Sequence, residues 1–446
     1  MPGPPIAPIV SDGTLPERVD VVVIGGGIVG VCTTLELLER GLSVALCEKG
    51  GIGAEQSSRN WGWVRVSRRD PREIELVLEA QRLWQGLAER VGEPLGYTRS
   101  GIAFVAKGEA ERERQERWLE HAAPYQLRAR MLDRAGFERL FPNVAFDGVA
   151  ALHTEEDGRA EPQLAAPVIA RACRRRGARL LTGCAARGIE RAAGRVSGVV
   201  TERGTIGCDA VVLAGGAWSS LFCGSLGLRL PQLKLLSSAL RTAPLPNDAA
   251  PTTSLWTSRY AFRRRDDGGY TVATGHYNVA ELVPDSFRYF RQFVPALRAE
   301  WGSIAIRVGR RSLAELSTSR RWSLDAVSPF ERERVLDPAP AEGAVHGALD
   351  ALAEDCPAFA GVRVEQLWAG LIDVTPDAIP VISAVEETPG FHVATGFSGH
   401  GFGIAPGAGR LMADIVTGAP PTVDPHAFRF SRFTDGTPIT LEPSGV

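Results

Sequence analysis

The residues whose spacing carries the clearest chemistry are Gly25, Gly27 and Gly30, which satisfy G-x-G-x-x-G within VVVIGGGIVG. The first glycine permits a tight turn, the second lets backbone approach a pyrophosphate, and the third lets a helix pack on a strand. A helix opens at Ile28 and Val29, and its free amides and positive dipole suit phosphate. An acid about 20 positions on accepts from ribose hydroxyls; Glu48 stands there, followed by Lys49. This is a dinucleotide site. Two further clusters have polar groups to offer it. Ser57, Ser58, Arg59 and Asn60 follow the acid in GGIGAEQSSRNWGWVR, where they can donate to phosphate, and Trp61 and Trp63 beside them are costly to leave in water. Gly396, Ser398, Gly399, His400 and Gly401 form a glycine-dense turn entering a helix, so several amides can face one acceptor. His400 either adds a donor there or bonds only to backbone.

Those residues need a scaffold. Val21, Val22, Val23 and Ile24 form a β-branched run that predicts a strand buried on both faces, and Ser43–Cys47 is a second apolar run. The stretch after Lys49 is too rich in glycine and serine to predict regular structure. Ile74, Val77, Leu78, Leu83 and Leu87 recur at helical spacing between Pro71 and Arg90. A strand (Gly101–Ala106), a charged helix (Glu109–His121), another helix from about Gln163 to Arg175, and a buried strand Ala210–Leu213 follow. Alternating runs at Tyr260–Phe262 and Tyr270–Ala273 predict antiparallel sheet, with one helix around Phe287–Glu300. A last helix runs to Val416.

Nucleotide-type segments on both sides of antiparallel sheet imply interleaved domains. Residues 15–90, 150–225 and 335–430 would build the nucleotide-binding domain, residues 91–149 and 226–334 the substrate domain, and 1–14 and 431–446 loose tails.

Bulk properties exclude several classes. A hydrophobic fraction of 44%, a charged fraction of 23% and a net charge of −2 describe an ordinary globular chain of 446 residues, with no basic field for nucleic acid. Runs such as Arg174–Arg176 and Arg263–Arg265 read as solvated faces. Seven scattered cysteines form no C-x-x-C and no metal-ligand spacing, which predicts a reducing compartment and no metal. No apolar run is long enough to span a membrane, and the proline-rich start lacks the pattern of a signal peptide, so the expected location is the cytoplasm.

Five segments in order resemble the D-amino acid oxidase superfamily, in its glycine oxidase and sarcosine oxidase branch: VVVIGGGIVG with Glu48-Lys49, SSRNWGWVR, VVLAGGAWS, WAGLIDVTPDAIPVI and ATGFSGHGFGIAPGAG. The resemblance implies an α/β fold, with an FAD-binding Rossmann-like domain of the glutathione reductase type interleaved with an α+β substrate domain on antiparallel sheet. It implies FAD, and oxidation of the C–N bond of an amino acid or amine to an imine by hydride transfer to flavin N5. Ala186 would contact adenine through its backbone, while Gly215, Gly216, Trp218 and Gly370 would line the cofactor, Trp218 being open to a plain core role. The glycine turn at 396–401 would face the pyrimidine edge of the flavin. The Gly-Asp pair of flavin hydroxylases is missing from that late segment, an NAD-linked enzyme would leave the segment without a purpose, and a non-catalytic flavin-binding protein remains the reading from another class.

The departures from the family bear on substrate. Glycine oxidase-like enzymes place a carboxylate-binding arginine directly after WAGL; here Ile372 stands there and Asp373 follows. Arg65 occupies the place of the sarcosine oxidase-like anchor, whose partner lysine is replaced by Gly403. Arg65 therefore either binds a substrate carboxylate or pairs with Glu73 or Asp70, and Asp373 either meets a substrate ammonium or caps a turn. Trp61, Trp63, Tyr260, His276 and Trp368 are candidates for a partly aromatic pocket. No cysteine lies between Gly361 and Asp377 to tether flavin, so FAD should be non-covalent. Lys49, Lys107 and Lys234 are the only lysines; the family's oxygen-promoting lysine has no evident counterpart, which leaves the acceptor open between oxygen and another carrier.

Overall fold

The computed structural model describes residues 3–246 and 249–441. Val21–Ile24 sits in the middle of a six-stranded sheet ordered 381–384, 391–395, 210–213, 21–24, 44–48, 179–182. All pairs are parallel except the outermost, 381–384 with 391–395. Helices cover one face, and a three-stranded antiparallel sheet, 186–192, 195–201 and 204–207, with the helix 219–225 covers the other, so every side chain of the central strand is buried, as its unbroken β-branched run demands. Helix Ile28–Glu39 lies against the last helix, Gly401–Thr417, which also packs on Ile74–Val91. Their approach depends on glycine. A Cβ at Gly409 would lie 2.7 Å from the Cys32 carbonyl carbon, and one at Gly407 2.7 Å from the Leu76 oxygen. The late glycines thus serve helix packing as well as a binding turn.

A ten-stranded, mostly antiparallel sheet forms the second layer. Its longest ladder pairs Leu233–Thr242 with Val364–Val374, from Leu233 opposite Val374 to Thr242 opposite Val364. Tyr260–Arg264, Tyr270–Thr274, Ile102–Ala106 and Ala150–Thr154 extend it. Helix Glu342–Asp355 covers one face, burying Val345, Leu349 and Leu352 against Phe262, Tyr270 and Val272.

Several expectations need correction. Strands 150–154 and 364–374 and helix 342–355 join the antiparallel layer, not the nucleotide layer assigned to them, because their apolar faces meet that sheet. The loop after Lys49 contains a one-turn helix, Gln56–Arg59, and a short strand, Trp63–Val64. The N-terminal stretch is docked: Asp12 exchanges bonds with Leu180, donating its amide at 2.8 Å and accepting through Oδ2 at 2.6 Å, and Ile9 is buried. Near the other end, buried Arg432 donates to Asp377 at 2.9 Å. Arg263 is not solvated either. It is 1% exposed and forks onto the Glu161 carboxylate at 2.8 and 3.1 Å, a paired arrangement that alone makes such burial tolerable. All seven cysteines are free and buried.

Candidate active site

The parallel strands end together at Ile24, Glu48 and Leu213, and a cavity of about 740 Å³, solvent at its mouth included, opens there. This is the crevice at strand carboxyl ends where α/β sheets bind ligands. The Glu48 carboxylate accepts from the amides of Gly26 at 2.6 Å and Gly50 at 2.7 Å, so it ties the glycine turn to the next loop. Burial raises its pKa even so. A Cβ at Gly30 would fall on the Gly25 carbonyl, which fixes that position as glycine. Ser57 Oγ accepts from the Ile28 amide at 2.8 Å, so its own hydroxyl hydrogen is available to an incoming acceptor. Lys49 stands 4.2 Å over the Trp218 ring and bonds Glu55 at 2.9 Å; both lysine and indole line this cavity with Ala186 and Gly215.

A second cleft of about 1640 Å³, solvent at its mouth included, continues from the first past Gly27, Gln56, Ser57, Ala214 and Gly216. Ile28, Val29, Arg59, Asn60, Trp61, Trp63, Gly370, Asp373, Ser398, Gly399, His400 and Gly401 line it. The glycine turn is held from behind. Asp373 Oδ2 accepts from the Gly396 amide at 2.8 Å and from Gln232 at 3.1 Å, and the Ser398 amide donates to the Asp373 carbonyl at 2.9 Å. Burial raises the Asp373 carboxyl to about 6. Its geometry is that of a turn anchor. His400 precedes the first turn of helix Gly401–Thr417, so the amide end of that helix faces the cleft.

Aromatic rings and arginines make the rest of the wall. Trp63 meets Trp61 edge-on at 5.1 Å and Phe104 at 5.8 Å, and Phe104 meets Trp256 at 6.0 Å. The guanidinium carbons of Arg65 and Arg68 each lie 5.2 Å from the Phe104 ring centre, and Arg68 lies 4.8 Å from that of Trp256. Arg69 lines the cleft beside them. Burial lowers the pKa of all three, Arg68 and Arg69 to about 10, and the neighbouring positive charges lower Arg65 further.

The candidates therefore sort clearly by place. Arg65, His276, Asp373 and Trp63 line the cleft, with His276 at its exposed rim edge-on to Trp256. Tyr260 does not. It is fully buried in the antiparallel core, and its hydroxyl donates to Asp355 at 2.8 Å. Gly30, Ser58 and Gly396 lie behind the walls; Ser58 is buried and donates to the Glu55 carbonyl. Arg59 bonds the Ala369 carbonyl at 2.8 Å and Asp337 at 2.7 Å, and Asn60 folds back on the Ser57 carbonyl at 2.9 Å, so both brace the loop. Trp368 donates to the Arg59 carbonyl at 2.8 Å from a buried position outside the cleft. Sequence reasoning missed Arg68 and Arg69. Their signal was a charged pair one serine after the mostly apolar WGWVRV, a pattern ordinarily taken for surface.

The two joined cavities suit a long ligand with a nucleotide end and a ring end. Comparison with known proteins decides its identity: the family of FAD-dependent oxidoreductases named DAO matches residues 20–415. The chain is a member of that family. This flavoprotein is 25% identical to the sarcosine oxidase subunit beta of Rhodobacter capsulatus over 94% of this chain and 91% of the relative. It is 26% identical to the glycine oxidase of Pseudomonas aeruginosa, over 92% and 97%. Among solved structures, L-amino acid deaminase from Proteus myxofaciens superposes with a TM-score of 0.92 at 31% identity, covering 96% and 97% of the two chains. FAD is thus the cofactor, and the residues present fit it: a Cβ at Gly27 would crowd Ser57 Oγ at 3.1 Å and fill the passage between the cavities. Among the described residues no helix is long and apolar enough to cross a membrane.

Proposed function

We propose that this flavoprotein dehydrogenates an amino acid at its C–N bond, giving an imine that water hydrolyses to an oxo acid and an amine or ammonia. The observation that carries the reading is the convergence of Arg65, Arg68 and Arg69 on an aromatic cleft that adjoins the amide end of helix Gly401–Thr417. When bound, FAD supplies the hydride acceptor, taking two electrons and the hydrogen from the carbon that bears nitrogen. The chain's own residues do the rest. Arg65 holds the substrate carboxylate with its planar fork, while Trp61, Trp63 and Phe104 exclude water and aim the C–H bond. The amides at Gly399 to Gly401 and the helix end stabilise negative charge developing at the ring. The relatives' names, which include sarcosine oxidase, glycine oxidase and L-amino acid deaminase, support the same class of substrate.

A specific placement favours an acceptor other than oxygen. Lys107 pairs with Asp147, Lys234 with Glu315 at 2.9 Å and Lys49 with Glu55 at 2.9 Å, all outside the substrate cleft. The reading as a dehydrogenase that hands electrons to a carrier rests on this. Free, buried cysteines suit a cytoplasmic setting. The test is anaerobic mixing of the yellow holoprotein with α-amino acids, N-methyl amino acids and simple amines. Amino acids should bleach the flavin band, amines lacking carboxylate should not, and recolouring on admitting air measures the oxidase share. A flavin that no amine bleaches would overturn the reading.

A further inference from the structure

Three arginines, Arg65, Arg68 and Arg69, line the cleft, and the fork of Arg65 alone is enough to hold one substrate carboxylate. Arg69 is 3% exposed, yet its Nε and Nη1 donate to no acceptor among the described residues. A buried guanidinium without acceptors is costly, so its site is built for a partner that arrives. The acidic groups nearest to it do not supply one. Asp157 is occupied by the Val66 amide at 2.6 Å, by Ser67 Oγ and by Gln81 Nε2 at 3.1 Å. Glu73 makes no hydrogen bond through either oxygen. Burial also pushes the Glu73 carboxyl to about 7, so it is only partly ionised near neutrality.

Arg68 is separately set in place. It has φ of +58°, a left-handed backbone that a non-glycine residue adopts only where its surroundings enforce it. That backbone lays its guanidinium on Phe104 and Trp256, while Arg65 lies on Phe104 as well and gives one of its Nη1 bonds to the Ser67 carbonyl. Stacked guanidiniums lose little freedom on binding and present their edges to planar anions. A single bidentate fork already neutralises the one charge of a carboxylate.

We propose that Arg69 and Arg68 form a second anion subsite beside Arg65, and that the preferred substrate is an amino acid with two carboxylates. Arg65 takes the carboxylate next to the reacting carbon and the Arg68–Arg69 pair takes the distal one. This rests on the amino acid reading above and narrows it.

The test compares anaerobic flavin reduction by glutamate and aspartate with reduction by glutamine and asparagine, isosteric pairs that differ in the distal charge. The acids should half-saturate at least about tenfold lower than their amides, as charge-assisted bonds to a desolvated arginine imply. Arg69→Gln should collapse that ratio toward one, with Arg69→Lys intermediate, and the flavin spectrum reports whether each variant is folded and loaded. A second arm needs no turnover: glutarate should perturb the flavin spectrum at lower concentration than butyrate. Equal use of acids and amides by the native protein, or an Arg69→Gln variant that weakens both alike, would overturn the subsite. Should no amino acid reduce the flavin while glutarate still outbinds butyrate, the C–N reading falls and the dianion subsite stands.

Discussion

His400 Nδ1 lies 3.6 Å from Glu73 Oε2, and both side chains are buried where the last helix begins. One comes from the entry of helix Ile74–Val91 and the other from the glycine-rich turn, so the pair couples a packing helix to the cleft wall. The charged groups around Glu73 are Arg69, Asp70, Arg65 and Arg72.

That relationship sets a pH dependence. Burial raises the Glu73 carboxyl to about 7 from 4.5, so the folded state binds its proton more tightly than the unfolded chain does. Its favourable contribution is complete below about pH 4.5 and is lost as pH climbs through about 7, at no more than about 1.4 kcal/mol per unit. Glu73→Gln should therefore gain melting temperature relative to the native protein between pH 5 and pH 8. Asp157 and Asp373, both raised to about 6 by burial, carry the same sign and leave a residual slope in the variant. Identical pH profiles for the two proteins would remove Glu73 from this role.

Arg65→Ala should leave FAD bound, because the side chain lines only the substrate cleft. The substrate concentration for half-maximal bleaching should rise about tenfold to a hundredfold, the loss expected for one charge-assisted bidentate contact. An unchanged concentration would take Arg65 out of substrate binding.

Glu48→Ala removes the acceptor of the Gly26 and Gly50 amides and an acid that lines the nucleotide cavity. FAD affinity, followed by recovery of flavin fluorescence on dilution, should fall by at least about tenfold, given two lost hydrogen bonds to a charged group. Retention of native affinity would show that ribose is held elsewhere.

Gly409→Ala should lower the thermal midpoint sharply, since its Cβ would press on the backbone of Cys32 and Thr33 at 2.7 and 2.8 Å. The cost should be at least about 1–3 kcal/mol, the range for overpacking a filled interior. Gly86→Ala is the contrasting case: it lies in helix Ile74–Val91 with nothing within 4 Å of a Cβ. Alanine there should stabilise by about 0.5–1 kcal/mol. Equal midpoints for the two variants would show that the helices can separate freely at Gly409.

Much of this protein was legible in its residues because the signals are local. The run Val21–Ile24, the glycines behind it and Glu48 lie within one βαβ unit, so backbone sterics and period alone place them. The late glycine turn was legible for the same reason. Tertiary packing decided the rest, since burial depends on partners distant in the chain. Tyr260 faces Asp355 in a core instead of a substrate, and Arg263 is buried because Glu161 is there to receive it. Arg68 looks like surface charge until Phe104 and Trp256, brought from two other strands, close over it, and Arg69 does so until the fold buries it beside the cleft. Sequence thus determined the cofactor and the frame that holds it; the meeting of remote side chains, through burial and the loss of water, determined what the cleft can recognise.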